Sequence, residues 1–253
     1  MESFKRIWIV GASSGIGLEL VKICLQKNYY VVASSRNSTD TKELVNLLID
    51  YPKHLTLLNF DVTSKDSIKK SVETAWNSFD GLDIWFYNAG AYEVMGIEDF
   101  DISKFETMNE VNYLGVIRVL DSILPYFRES KNGHIIWNSS LSSYFGLPQG
   151  GGYSAPKAAL VNLAESIQPE LDLLNIKLQI VNHGFVKTRL TKKNKFEMPQ
   201  LMQPDFTASK ILEGIENSNS FEIRFPFMLS FILRTIKFLP YKISLALTKK
   251  MIP

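Results

Sequence analysis

Three side chains between Ser140 and Lys157 carry a hydroxyl, a phenol and an ammonium group at a spacing that could bring them together. Tyr153 and Lys157 are four residues apart, so on a helix their side chains share one face. Ser140 follows the apolar run 135–137, which predicts a strand that ends beside this helix. Such a trio suits proton transfer to or from an alcohol or carbonyl oxygen.

Tyr153 is the candidate general acid or base of this trio. A phenol has a reference pKa of about 10 and is a weak base at neutral pH. A neighbouring ammonium favours the phenolate, so we expect Lys157 to lower the pKa of Tyr153, while Ser140 hydrogen-bonds the reacting oxygen. A tyrosine and a lysine at this spacing also occur on ordinary surface helices, so the interpretation depends on the rest of the chain.

Composition limits the class of protein. The 253 residues, 45% hydrophobic and 21% charged, predict one globular domain over residues 1–253. The net charge of +2 argues against nucleic acid binding, and we predict no metal site. The single cysteine, Cys24, excludes an internal disulfide, and Met1–Val10 leaves no room for a signal peptide, so we expect a cytoplasmic protein.

A glycine-rich segment follows the first strand-like run, Ile7–Val10, and leads into apolar residues at helical spacing from Leu18 onward. Strand, glycine loop and helix together form a phosphate site, because glycines let the backbone approach and the helix N-terminus presents free N–H groups. An ordinary glycine-rich turn is the alternative. We predict a dinucleotide site made by Gly11, Ser13, Ser14, Gly15, Ile16 and Gly17.

The end of the second strand, Tyr30–Ser34, predicts which dinucleotide binds. Ser35 and Arg36 follow it, and the first carboxylate comes only at Asp40. A carboxylate here would accept hydrogen bonds from the 2′-hydroxyl of NAD, whereas a cation suits the 2′-phosphate of NADP. We therefore favour NADP(H) over NAD(H), with a solvated loop arginine as the alternative.

Strand and helix patterns alternate along the rest of the chain. Further strands are predicted at Leu55–Phe60, Leu82–Tyr87, Gly133–Asn138, Ile176–Val181 and Phe221–Phe225, with helices at Asp40–Asp50, Asp66–Phe79, Lys104–Arg128 and Gly152–Leu174. This alternation predicts an α/β fold: a doubly wound parallel β-sheet, or Rossmann fold, of about seven strands with helices on both faces. Ligands of such sheets bind at the carboxyl ends of the strands.

Several polar residues are placed to line that edge. Asp61, next to Val62 after the third strand, either accepts a bond from the adenine amino group or serves as a turn or cap residue. Asn88, Ala89 and Gly90 form a small-residue turn with room for a flat ring. Asn112, inside a helical pattern, either satisfies backbone groups or holds a water that relays protons.

In order and spacing these motifs resemble the short-chain dehydrogenase/reductase family over about residues 4 to 190. The resemblance rests on Gly11-x-x-x-Gly15-x-Gly17, Asp61, Asn88-Ala89-Gly90, Asn112, Ser140 and Tyr153-x-x-x-Lys157. It implies an NAD(P)-dependent oxidoreductase that forms a homodimer or homotetramer. It also implies that Tyr153 transfers the substrate proton and that Lys157 lowers its pKa and binds the nicotinamide ribose. Ser140 would orient the substrate oxygen, and Asn112 would support a proton-relay water.

The chain departs from the family pattern after the sixth strand. The family usually has a Pro-Gly pair there, whereas this chain has Asn182-His183-Gly184. The resemblance assigns Gly184, Val186 and Thr188 to the cofactor site, the last two at positions that hold the nicotinamide amide. His183 either occupies a permissive loop position or bonds the cofactor or substrate.

The C-terminal extension, residues 226–253, is apolar and basic. Between Phe221 and Pro253 there are six cations and one carboxylate, and the uncharged runs are too short to span a bilayer. It either covers the core, completing the substrate pocket or a dimer contact, or forms an interfacial helix pair broken at Pro240 on the cytoplasmic face of a membrane. Residues 187–218 are predicted to contain a mobile lid over the substrate.

The predicted function is NADP(H)-dependent interconversion of a carbonyl and an alcohol, with Tyr153 as general acid or base. The apolar lid and extension favour a hydrophobic or lipid-like small-molecule substrate. The alternative is a membrane-attached module that binds NADP(H) without turnover and acts in protein interaction or redox sensing.

Overall fold

The computed structural model describes residues 5–194 and 196–252. Seven parallel strands form one sheet in the order β3-β2-β1-β4-β5-β6-β7. The strands are β1 (Arg6–Val10), β2 (Tyr30–Ser35), β3 (Leu55–Asn59), β4 (Ile84–Tyr87), β5 (Gly133–Asn138), β6 (Ile176–His183) and β7 (Glu222–Phe225). The predicted doubly wound sheet is confirmed, and its order reverses between β1 and β4, where such folds bind ligands. Three parts of the sequence predictions lie outside the described residues: residues 1–4 at the N-terminus, Lys195 in the predicted lid region, and Pro253.

Helices cover both faces of the sheet. They are α1 (Gly15–Gln26), α2 (Lys42–Asp50), α3 (Lys65–Asn77), α4 (Ile102–Asn109), α5 (Gly115–Ser130), α6 (Gly151–Leu173), α7 (Pro204–Asn217), α8 (Phe227–Phe238) and α9 (Tyr241–Lys249). Along β1, Ile7 and Ile9 face the layer with α1 and α7, whereas Trp8 and Val10 face the layer with α3, α5 and α6. Side chains of a strand alternate between its two faces, so β1 contributes to two separate apolar layers.

The helix predicted over Lys104–Arg128 is interrupted. A π-helical turn, Glu110–Leu114, joins α4 to α5. The hydroxyl of Tyr87, at the end of β4, donates a 2.7 Å hydrogen bond to the carbonyl of Val111 in this turn. Gly115 leaves room for that hydroxyl, since a Cβ there would lie 2.5 Å from it. The interruption therefore depends on a contact between segments far apart in the chain.

Strand β6 runs two residues past its predicted end. Asn182 and His183 pair in register with Arg224 and Phe225 of β7. His183 lies within this strand, and only 9% of it is exposed. The interpretation that it occupies a permissive loop position is therefore wrong. The extension arises because β7 continues alongside and supplies partners for the backbone of these two residues.

The predicted lid region, 187–218, divides into two parts. Residues 204–217 form α7, which buries Ile211 and Leu212 in the layer shared with α1. This half belongs to the core and is not a lid. The other half is held at its base by a parallel bridge between Val186 and Met202.

The C-terminal extension forms two helices. They are separated at Pro240, as the interpretation of a broken helix pair expects, and Pro240 is the N-cap residue of the second helix, α9. Helix α8 buries Leu233 and Ile236 in a cluster with Leu141. Among the helices at 5–194 and 196–252, none combines the length and the apolar character that a bilayer-spanning segment needs.

Candidate active site

The loop between β1 and α1 depends on its glycines. Gly11 has a φ of +88°, and a Cβ there would lie 2.6 Å from the backbone nitrogen of Ala89. A Cβ on Gly17 would overlap the carbonyl oxygen of Gly11. Larger residues would therefore push α1 and the turn after β4 away from the loop, which explains the spacing of these two glycines.

The N-terminus of α1 fits the diphosphate of a dinucleotide. The helix begins at Gly15, the side chain of its N-cap Ser14 makes no capping bond, and its first turn holds no carboxylate. Its N–H groups and positive dipole end are thus left for an anion. Together with the glycine cradle, this arrangement fits the predicted nucleotide.

A chain of hydrogen bonds connects this loop to Lys157. The Lys157 ammonium donates to the carbonyl of Asn138 at 2.6 Å. The Asn138 amide donates to Asn88 Oδ1 at 2.8 Å, and the Asn88 amide donates to the carbonyl of Gly11 at 2.9 Å. The ends of β5, β4 and β1 are thereby held in one arrangement. Asn138 was not predicted as a site residue. Its position, a polar residue at the carboxyl end of a predicted strand, was the feature of the sequence that could have identified it.

Tyr153 lies where α6 meets the end of β5, and Ser140 reaches it from the turn after that strand. Burial raises the pKa of Tyr153 to about 12, and a hydrogen bond with Ser140 opposes this rise. The expectation that Lys157 lowers the Tyr153 pKa is wrong for the protein alone. The reason is that burial also lowers the pKa of Lys157, to about 7, which weakens its positive charge at neutral pH. Its nitrogen lies 5.7 Å from the centre of the Tyr153 ring.

Two predicted polar residues are engaged by the backbone or a neighbour. The Asn112 side chain accepts from the nitrogen of Ala91 at 2.9 Å and donates to the carbonyl of Ala91 at 2.8 Å. Asn112 therefore holds the turn after β4, in agreement with the interpretation that its side chain satisfies backbone groups. Asp61 accepts bonds from the backbone nitrogen and hydroxyl of Thr63, which makes it a turn residue that also borders the site.

The carboxyl ends of the strands open into one cleft of about 1470 Å³. Every predicted catalytic and cofactor residue lines it except Gly17 and Asn112, whose contacts are described above. One end holds the glycine loop and Arg36. The other end, beyond Tyr153, has an apolar wall that includes Leu141, Leu147, Phe185, Phe196, Leu229 and Leu233.

His183 borders this cleft without acting as a cation. Its Nδ1 lies 2.7 Å from the carbonyl of Gly184, which indicates that Nδ1 carries the proton. Burial lowers the pKa of His183 to about 4, so the ring is neutral at physiological pH.

Tyr92 connects residues 193–194, in the predicted lid region, to Tyr153, and it was not predicted as a site residue from the sequence. Its ring stands edge-on to the Tyr153 ring, with 5.1 Å between ring centres. Its hydroxyl donates to the side chain of Asn194 at 2.6 Å. The neighbouring Lys193 bonds the carbonyl of Tyr92 at 3.0 Å and pairs with Glu93. This part of the predicted lid region is thus attached to a residue whose ring contacts Tyr153.

Comparison with known proteins identifies relatives of this chain. A family model described as short chain dehydrogenase matches residues 5–198. An uncharacterized oxidoreductase of Myxococcus xanthus is 28% identical over 238 residues, covering 94% of each chain. Another from Staphylococcus epidermidis is 30% identical over 188 residues, covering 74% of this chain and 80% of the relative.

Solved structures share the fold. A short-chain dehydrogenase from Streptomyces avermitilis superposes with a TM-score of 0.84 at 21% identity, covering 98% of each chain. A Burkholderia cenocepacia short chain dehydrogenase in complex with NADP has a TM-score of 0.83 at 19% identity, covering 97% of this chain and 98% of that one. A Burkholderia phymatum protein in complex with NAD has a TM-score of 0.82 at 18% identity, covering 92% of each chain.

The lowered pKa of Lys157 predicts a dependence of stability on pH. Between pH 7 and about 10.4, Lys157 stays protonated in the unfolded chain but loses its proton in the folded chain. Rising pH therefore stabilises the wild-type protein relative to Lys157→Met, by up to about 1.4 kcal/mol per pH unit. Urea unfolding at pH 7, 8 and 9 measures this difference, with the exposed Lys70→Met as control. A difference between wild type and Lys157→Met that does not change with pH would contradict the prediction.

The Tyr92 contact predicts how firmly the lid is held. Tyr92→Phe removes the bond to Asn194 but keeps the ring against Tyr153. One lost hydrogen bond of roughly 1 kcal/mol should increase local opening about fivefold. Hydrogen exchange of residues 190–198 measures this opening, with Tyr51→Phe, far from the lid, as control. Unchanged exchange in Tyr92→Phe would show that the lid is held by other contacts.

Proposed function

The chain belongs to the short chain dehydrogenase family, and from this premise we propose that it is an NADP(H)-dependent oxidoreductase that interconverts a carbonyl and an alcohol. One observation carries the proposal. Tyr153, bonded by Ser140 and with Lys157 at its ring, stands in a cleft that also contains a glycine loop built for a dinucleotide. A bound nicotinamide would supply or accept the hydride.

The residues of this chain would bind and orient the nucleotide. Gly15 and the N-terminus of α1 would hold the diphosphate, because they offer backbone N–H groups without obstruction by side chains. Gly11 would act through the backbone of the loop, since its own N–H donates to the carbonyl of Ser34. Lys157 would bind the nicotinamide ribose, and Val186 and Thr188 would border the nicotinamide amide. The diphosphate, the nicotinamide ribose and the nicotinamide amide would therefore each contact a different set of residues in the cleft.

Tyr153 would provide the proton in the reduction direction. With a pKa of about 12 its phenol is protonated at neutral pH, which is the form a general acid needs. The carbonyl oxygen of a substrate under reduction would gain negative charge and so become basic enough to accept the proton from the Tyr153 hydroxyl. The ammonium form of Lys157 would then stabilise the phenolate, and Ser140 would hold the substrate oxygen in position.

We favour NADP(H) because Arg36, directly after β2, borders the cleft together with Ser35, the last residue of that strand. A guanidinium there would pair with the 2′-phosphate of NADP, whereas NAD would leave it solvated.

The apolar wall of the cleft supports a hydrophobic or lipid-like substrate. Side chains from the turn after β5, from the lid and from α8 form this wall, so most of a ligand's contact beyond Tyr153 would be apolar. Contact of residues 226–253 with a membrane, at its cytoplasmic face, and assembly as a homodimer or homotetramer belong to the same proposal.

Tyr153→Phe tests the chemistry. We expect NADPH oxidation with straight-chain ketones to fall at least about 100-fold, because the variant lacks the acidic hydroxyl. Its NADPH affinity, measured by fluorescence titration, should stay within about twofold. In the wild type, kcat/KM should rise with chain length as more methylenes contact the apolar wall. NADPH binding with no turnover on any ketone would favour the non-catalytic module.

Arg36→Asp tests the choice of nucleotide. Replacing the cation with a carboxylate removes the pairing for the 2′-phosphate and offers an acceptor to the 2′-hydroxyl. The ratio of kcat/KM for NADPH to that for NADH should fall about 100-fold or more, through KM. Lys42→Asp, an equal charge change on α2, is the control. A ratio unchanged in Arg36→Asp would remove the basis for NADP(H) preference.

A further inference from the structure

Helix α9 is oriented with its apolar side chains outward. The side chains it buries are the small polar Ser244 and Thr248, one turn apart, and their hydroxyls bond carbonyls of their own helix. Tyr241 and Leu245 are 77% and 57% exposed. An amphipathic helix normally turns its apolar face to the core, so α9 presents that face to something outside this chain.

The apolar surface continues onto α8. Phe238, at the end of α8, is 81% exposed, and Phe227 and Phe231 stack on one another at 66% and 58% exposure. The other face of α8 is fixed: Arg234 lies over the Tyr144 ring and pairs with Glu222 of β7 at 3.4 Å. The helix pair is therefore a defined surface on the fold, which we call the tail surface, residues 227–252.

Charge distinguishes the candidate occupants of the tail surface. Its outer side contains four exposed cations and no carboxylate: Lys237, Lys242, Lys249 and Lys250. Arg234 faces inward and is already paired with Glu222. In a symmetric dimer through this surface, like charges would face each other, which opposes association. Apolar side chains bordered by lysines match an anionic lipid surface, where the head groups pair with the cations.

The tail surface also meets the mouth of the cleft. Ile232 and Met251 line the cleft and are nevertheless 48% and 51% exposed. Leu229 and Leu233, on the inner side of α8, continue the apolar lining inward. An apolar path thus leads from the tail surface into the cleft.

We propose that the tail surface docks on an anionic lipid bilayer and that a lipid-like substrate enters the cleft directly from the bilayer. Helix α9 and the outer side of α8 lie in the interface, with the lysines at the level of the head groups. The docking follows from the tail surface alone. The entry route rests on the proposed function, because it requires a substrate that Tyr153 reduces or oxidises.

Vesicle flotation tests the docking without cofactor or substrate. The full-length protein should float with vesicles of phosphatidylcholine containing 30% phosphatidylglycerol and remain unbound with phosphatidylcholine alone. Each lysine near an anionic surface should contribute roughly fivefold to partitioning. Lys242→Gln, Lys249→Gln and Lys250→Gln combined should therefore weaken binding on the order of 100-fold. Lys53→Gln, Lys69→Gln and Lys70→Gln combined, all exposed and outside residues 227–252, is the control with the same change in charge.

Phe238→Ser combined with Leu245→Ser tests whether the apolar side chains of the tail surface are needed for vesicle binding. This variant should not float with the anionic vesicles. Ile49→Ser with Leu173→Ser, exposed on other helices at 72% and 86%, is the control and should float normally. Circular dichroism melting verifies that each variant is folded. Absence of flotation by the wild type, or equal flotation with both vesicle types, overturns the docking. Self-association that the Phe238 and Leu245 variant abolishes, without flotation, would assign the tail surface to a second copy.

Turnover tests the entry route separately. Reduction of a long-chain ketone presented in anionic vesicles should fall at least tenfold in the Phe238→Ser, Leu245→Ser variant. Reduction of a short, water-soluble ketone should be unchanged, because neither residue lines the cleft. Equal loss on both ketones, or loss on neither, overturns the entry route. Failure of the wild type on every ketone would instead count against the proposed function.

Discussion

The hydrogen bonds that run from Lys157 through Asn138 and Asn88 to Gly11 hold the site together. They join the carboxyl ends of three strands that meet at the reversal of strand order. Each bond lies in a partly or fully buried environment, where an unpaired amide or carbonyl is costly, so the three strand ends have one favourable arrangement. The loop that would bind phosphate and the lysine beside Tyr153 are therefore positioned by the same contacts.

Burial of this region adjusts its electrostatics in two directions. It raises the pKa of Tyr153, which favours the phenol, and lowers the pKa of Lys157, which favours the amine. A charged lysine in this position reduces the stability of the folded chain at neutral pH. Such a cost is common at sites whose groups are arranged for chemistry, since activity there depends on an environment that stability alone would not select.

The apolar end of the cleft is built by segments that are distant in sequence. Glu222 of β7 accepts hydrogen bonds from Tyr144 and from Asn182, the latter at 2.6 Å, and also pairs with Arg234 of α8. These contacts attach α8 to the turn that carries Ser140. The same helix therefore forms part of the apolar wall of the cleft on one side and part of the tail surface on the other.

The sequence by itself determined the features that follow from local pattern. Alternating periodicity predicted the strands and helices, and the positions of Gly11, Gly17, Tyr153 and Lys157 predicted the loop and the shared helix face, because backbone geometry depends on neighbouring residues. Only the tertiary structure decided the π-helical turn at Glu110–Leu114, the strand position of His183 and the core position of α7. It also decided the raised pKa of Tyr153 and the outward face of α9. These features depend on burial and on contacts between residues far apart in the chain, which spacing along the sequence does not record.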